Sequence, residues 1–147
     1  MAISIDIDPA FDQLNTNFIQ TILENVIGSE GSNVDDISII FGDDALLNDL
    51  KKEYFNKDHF TDVIAFRLNE YEESSVDGEI YISIPRAKEN AKSFNEPFEK
   101  EICRLIIHGG LHLLNYHDET EEEKNIMTQK ENEYLSQWDW NKLTHDK

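Results

Sequence analysis

Thiols are almost missing from this chain: Cys103 is the only cysteine in 147 residues. No intramolecular disulfide can form, and such usage suits a reducing compartment. Proline and glycine are scarce, at 3 and 6 residues, which excludes collagen-like and low-complexity chains. Lysine and arginine do not occur at all before Lys51. The N-terminal MAISIDIDPAFD therefore has no basic region of the kind that opens a secretory leader. Apolar runs are short, Leu105-Ile106-Ile107 being typical, far from the length that spans a bilayer. A cytoplasmic location is the expectation.

What is abundant is negative charge. Thirty-one acidic residues against 13 basic ones give a formal net charge of −18, which opposes non-specific attraction to nucleic acid and to anionic membranes. A polyanionic ligand would need a local patch. Nine of the 13 basic residues fall between Lys51 and Arg104, so a locally basic middle is expected. With 39% hydrophobic residues and this length, one domain spanning 1–147 has enough apolar surface for a core of its own.

Ile3-Ser4-Ile5-Asp6-Ile7 alternates like a half-buried strand. Pro9 then fits the first turn of a helix reaching about Ile27, with Phe11, Leu14, Phe18, Ile22 and Val26 on its apolar face. A second strand is predicted over Ile37–Phe41, and a helix from Ala45 to about Tyr54 capped by Asp43 or Asp44. Strands over Thr61–Phe66 and Gly78–Ile84 flank an acidic loop, NEYEESSVD, the most flexible segment expected. Helices follow from Pro85 to about Ser93, from Phe98 to about Leu114, and beyond Thr120, the last presenting Ile126, Met127, Tyr134 and Leu135 to the core. The order βαβαββααα predicts an α+β fold, a small mixed sheet covered by helices.

The chemistry concentrates in His108-Gly109-Gly110-Leu111-His112-Leu113-Leu114-Asn115-Tyr116-His117-Asp118. Two histidines four apart on a helix project from one face and can share a metal. A catalytic zinc usually takes three protein ligands. Asn115 can adopt the left-handed conformation that ends a helix, so the chain can fold back and offer His117 or Asp118 as the third. Gly109 stands where the metalloprotease signature HExxH carries its glutamate, so that helix-borne general base is missing. Residues alone thus reach a metal-dependent hydrolase.

These residues resemble the YbeY family of single-strand-specific endoribonucleases, whose motif runs His-Gly-x-Leu-His-Leu-x-Gly-Tyr-Asp-His. His108, Gly109, Leu111, His112, Leu113 and Tyr116 match it. Upstream, Leu47-Asn48, Tyr54, Lys57-Asp58, Thr61-Asp62-Val63-Ile64-Ala65-Phe66 and Gly78-Glu79-Ile80 resemble further family segments in the same order. Three departures from the pattern stand out. Asn115 replaces the glycine before the tyrosine. The Asp-His ending is reversed to His117-Asp118, which puts the third-ligand register on Asp118, with His117 as the runner-up. Phe55 stands where the family usually has an arginine.

The resemblance implies a zinc-dependent endoribonuclease acting in ribosomal RNA maturation and ribosome quality control. One zinc would be held by His108, His112 and Asp118, with Lys57 or Arg86 balancing phosphate charge. Single-stranded ribosomal RNA, the small ribosomal subunit and its assembly proteins would be partners, with no membrane and no DNA. Two other readings use the same residues: a non-catalytic ribosome assembly factor with a structural zinc, and a metal hydrolase of small esters or amides. Cys103 is expected to be a packed free thiol.

Overall fold

In the computed structural model, residues 3–11, 13–55 and 61–145 are described. Four strands, β1 (Ile3–Ile7), β2 (Asn33–Gly42), β3 (Val63–Arg67) and β4 (Ser75–Ser83), form one sheet in the order β1-β2-β4-β3. β1 and β4 both run parallel to β2, with Ile5 opposite Ile39 and Ile39 opposite Ile80, while β3 is an antiparallel edge on β4. The sheet is mixed and the class α+β, as the element order predicts. The helices are α1 (Thr16–Ser29), α2 (Asp44–Phe55), α3 (Ile84–Phe94), α4 (Phe98–Leu113), α5 (Glu121–Leu135) and a short α6 (Lys142–His145).

Alternation in the strands decides which face is covered. Val76, Gly78, Ile80 and Ile82 of β4 and Ile37, Ile39 and Phe41 of β2 are buried, whereas Glu79 and Tyr81 between them are only half-buried. The buried face meets α1 and α4, whose Ile22, Leu23, Val26, Ile102, Ile106 and Leu113 join the same core. α4 lies deepest: it packs against α1, α3, α5 and the strands β3 and β4. The opposite face carries a smaller aromatic group, Tyr54 of α2 against Phe66 and Phe66 against Tyr81, with centroids 5.3 and 5.9 Å apart.

The first helix is the main correction. It begins at Thr16, not at Pro9. The Asp8 side chain takes the amide of Ala10 into a tight turn, and Asn15 caps the helix by accepting from the Phe18 amide. Asn15 is itself held by backbone hydrogen bonds to α6, from its amide to Leu143 O and from its side chain to Lys142 O. Leu14 is therefore buried ahead of the helix. The last long helix ends at Leu135, and Ile126 on it is exposed while Met127, Tyr134 and Leu135 are buried. α6 was not anticipated; its Leu143 is fully buried.

Glycine in the histidine helix has a packing reason. A Cβ on Gly109 would lie 2.7 Å from Ile80 Cγ2, and one on Gly78 would lie 2.8 Å from Leu113 Cδ2. Both glycines let α4 settle directly on β4. Because Ile80 Cγ2 sits on a branched carbon in the middle of a strand, it cannot swing away without leaving its rotamer. Gly109→Ala is expected to lose about 1–3 kcal/mol to overpacking, against a helix-propensity gain of up to about 1 kcal/mol. Thermal melts should show a net fall in Tm of about 4 °C; an unchanged or higher Tm would mean that α4 shifts off the sheet freely. Cys103 is fully buried, and burial pushes its thiol up to about 12. At pH 8 only about one thiol in ten thousand would be ionised. Iodoacetamide should leave the native protein unmodified and label it stoichiometrically once guanidinium unfolds it.

Candidate metal centre and its cleft

α4 delivers His108 and His112 from one face near its C-terminal end, where both side chains are mostly covered. The helix then stops. Asn115 has φ 74°, the left-handed conformation, and the Tyr116 amide donates back to Leu111 O at 3.1 Å. This reversal returns Asp118 to the two imidazoles. His108 Nε2 and His112 Nε2 are 2.9 Å apart, and Asp118 Oδ2 lies 3.4 Å from the first and 3.6 Å from the second. Donor atoms on a tetrahedral zinc with bonds of about 2.0–2.1 Å are about 3.3 Å apart. The three atoms are thus spaced as one face of such a shell.

The outer ring nitrogens decide what the inner ones can do. His108 Nδ1 is 2.5 Å from Glu131 Oε2 and His112 Nδ1 is 2.9 Å from the Tyr116 carbonyl oxygen. Both partners are acceptors, so both Nδ1 atoms carry protons and donate them. Each neutral ring then turns an Nε2 lone pair toward the other and toward a carboxylate oxygen. Only a cation or a shared proton relieves that arrangement, and the donor set of two imidazoles and a carboxylate suits a divalent ion.

The protonation balance agrees with this. Burial by itself would lower the pKa of His108, but the hydrogen bonds it donates to Asp118 and Glu131 outweigh it and raise the group to about 9. His112 moves down, through burial and the neighbouring His108 charge. The hydrogen bond with His108 holds the Asp118 carboxyl at about 2.

Behind His108 runs a buried polar chain. Arg104 donates to Glu131 Oε1 at 3.1 Å and to Glu101 at 2.9 and 2.5 Å. Asn90 joins Glu101 to Asp62 at 3.2 and 2.9 Å. On the other side, Glu30 at the end of α1 accepts from Tyr116 Oη at 2.6 Å, from Tyr134 Oη and from Lys130 Nζ at 3.1 Å. These three donors outweigh burial and keep its carboxyl below the ordinary range.

The centre opens into a cleft of about 360 Å³ whose walls include Lys51, Asp62, Tyr71, His117 and Asp118. His117 faces the cleft but is not one of the three convergent donors. Arg86 lies elsewhere: its guanidinium donates to Asp44 at 3.0 Å. Lys57 falls outside the described residues. Glu131, Glu30 and the Tyr116 carbonyl were missed in the sequence. A signal for Glu131 existed, because it sits four residues after Met127 and three before Tyr134 on the buried stripe of α5, and a buried glutamate on an apolar stripe needs a partner.

Comparison with known proteins points the same way. A family model described as Endoribonuclease YbeY matches residues 5–139. The Endoribonuclease YbeY of Christiangramia forsetii is 41% identical over 114 residues, 78% of this chain and 78% of its own length. That of Flavobacterium johnsoniae is 36% identical over 134 residues, 91% of this chain and 95% of its own. Among solved structures, the solution structure of TM1509 from Thermotoga maritima superposes with a TM-score of 0.62 at 28% identity, covering 91% of this chain and 87% of that one. Its fold and its matched length place this chain in the endoribonuclease YbeY family, enzymes that cleave RNA.

Proposed function

We propose that this chain hydrolyses phosphodiester bonds of single-stranded ribosomal RNA at one zinc ion held by His108, His112 and Asp118. The observation that carries this reading is the convergence of two Nε2 lone pairs and Asp118 Oδ2 on one point, with both Nδ1 protons already engaged. A divalent ion there supplies Lewis-acid polarisation and lowers the pKa of water. Zinc suits a shell of imidazole and carboxylate without sulfur.

The chain's own residues do the rest. Glu131 fixes the ring plane and tautomer of His108, and the Tyr116 carbonyl does so for His112. Arg104 holds the Glu131 carboxylate in place from behind. Lys51, on the cleft wall, and Lys57 are the cations we assign to the phosphate, in preference to Arg86, which does not line that cleft. Ribosome maturation and quality control in the cytoplasm, with the small subunit and its assembly proteins as partners, complete the proposal. No helix among the described residues is long and apolar enough to cross a membrane.

A structural zinc would want a closed shell of four protein ligands. Three donors converge among the described residues and His117 is not one of them, which favours an open, catalytic position. Elemental analysis of untagged protein should find one zinc per chain in the wild type and in His117→Ala, and none in Asp118→Ala or His112→Ala. Glu131→Gln should weaken zinc binding about 10- to 100-fold by loosening His108. Cleavage of a single-stranded ribosomal RNA fragment should follow metal content across this series. Wild-type protein that takes up no metal, or Asp118→Ala that still cuts RNA at the wild-type rate, would end the reading.

A further inference from the structure

Beside the metal cleft lies a second cavity of about 390 Å³, walled by Glu30, Ser32, Arg67, Leu114 and Asn115. Tyr71 and Tyr116 line both cavities, so the two share a partition. We propose that this second cavity is a nucleobase subsite, in which the base next to the scissile phosphate stacks on the Tyr71 ring. The inference rests on the RNA-cleaving reading and adds where the strand is gripped.

Tyr71 is 49% exposed in an acidic loop, yet that loop is firmly fixed. The Arg67 guanidinium donates to the Asn69 side chain at 2.6 Å and to the carbonyls of Glu70 and Glu73 at 2.9 and 3.0 Å. Asn69 in turn donates to Ser75 O at 2.7 Å and accepts from the Asp77 amide at 3.1 Å. A further donation from Arg67 reaches Leu113 O at 2.8 Å, the residue after His112. The loop is therefore tied to the helix that carries the histidines, and the ring stands at a set position relative to the metal centre. Arg67 Cζ lies 5.3 Å from the Tyr71 centroid, a cation–π contact that fixes the ring further. An aromatic ring that is half-exposed on a backbone tied down in this way is placed for stacking, since less of the loop has to be ordered on binding.

The charges in the cavity select a base over a phosphate. Glu30 is an ionised carboxylate there, and the Arg67 donors are engaged with backbone and side-chain acceptors. A phosphate would meet repulsion without a matching fork of donors. The same cavity offers a neutral heterocycle the half-exposed Tyr71 ring and the polar side chains of Asn115 and Ser32. Stacking is also the contact that a chain of net charge −18 can offer a polyanion without a basic field.

The test uses the zinc-loaded full chain and a short single-stranded RNA cut at one position, with matched versions lacking one base beside the cut. Tyr71→Ala is expected to raise KM by about 5- to 100-fold, with kcat changed less than about threefold and zinc content unchanged, while Tyr71→Phe stays near wild type. Removing the adjacent base should raise KM for the wild type and have little further effect in Tyr71→Ala. Wild-type cleavage with KM unaffected by Tyr71→Ala, or equal base-deletion effects in both proteins, would overturn the subsite and leave the nuclease reading standing. A zinc-loaded wild type that neither binds nor cuts RNA would remove both.

Discussion

Two mostly covered imidazole nitrogens 2.9 Å apart are a costly arrangement unless something positive sits between them, and the rest of the site exists to keep them there. Neither ring can escape by rotating. A flip of His108 would forfeit its contact with Glu131, and a flip of His112 would forfeit the Tyr116 carbonyl. Leaving a buried polar group without a partner costs on the order of 1–3 kcal/mol, and more when the group is charged. The turn after α4 enforces the second of these contacts. Asn115 in its left-handed conformation lets the chain reverse within three residues, so the same turn supplies the acceptor for His112 and the carboxylate of Asp118.

The first contact depends on a helix far along the chain. Glu131 is buried with Glu101, and Arg104 bridges both carboxylates. Such a triad contributes little net stability compared with apolar residues of the same size, but removing one member leaves an uncompensated buried charge. Its value here is orientation. α5 can pack against α4 in one register only if Glu131 meets both Arg104 and His108. Glu30 performs a comparable task from α1, gathering Tyr116 and Tyr134 from the turn and from α5 onto one carboxylate. Helices distant in sequence are thereby locked around the histidine-bearing end of α4.

These dependencies explain what could be read from the sequence. His108, His112, Asn115 and Asp118 are close in sequence and governed by helix geometry and one turn, so spacing pairs the two histidines and leaves His117 or Asp118 as the third donor, and the family register points to Asp118. The element order and the mixed sheet follow from alternation and from the helices between strands, whereas the placement of β4 between β2 and β3 comes from the structure. Glu131 and Glu30 act across 23 and 86 residues of chain, on His108 and Tyr116 respectively, and such contacts are set by packing that no local pattern encodes. The start of α1 was misplaced for a related reason. Phe11 and Leu14 continue the helical spacing of α1 and do contact the core, but Asp8 and Asn15 compete for backbone amides and set the boundary at Thr16. The anchoring of the acidic loop is not legible in its own composition, because Arg67 belongs to a strand and acts through backbone carbonyls.

The distribution of cations bears on how such an acidic chain meets RNA. The middle of the sequence is rich in basic residues, yet the fold engages many of them internally. Arg86 holds Asp44, Lys100 holds Glu96, Arg104 holds Glu101 and Glu131, and Arg67 organises a loop. A wide basic surface of the kind that gives strong non-specific binding is therefore not assembled from these side chains. On the proposed reading attraction is local: a cation at the histidines, Lys51 on the cleft wall and aromatic surface next to it. A site built in that way discriminates by shape and flexibility. A single strand can bend one phosphate into the cleft and turn a base into the adjoining cavity, whereas paired bases are already stacked on each other and are not available to Tyr71.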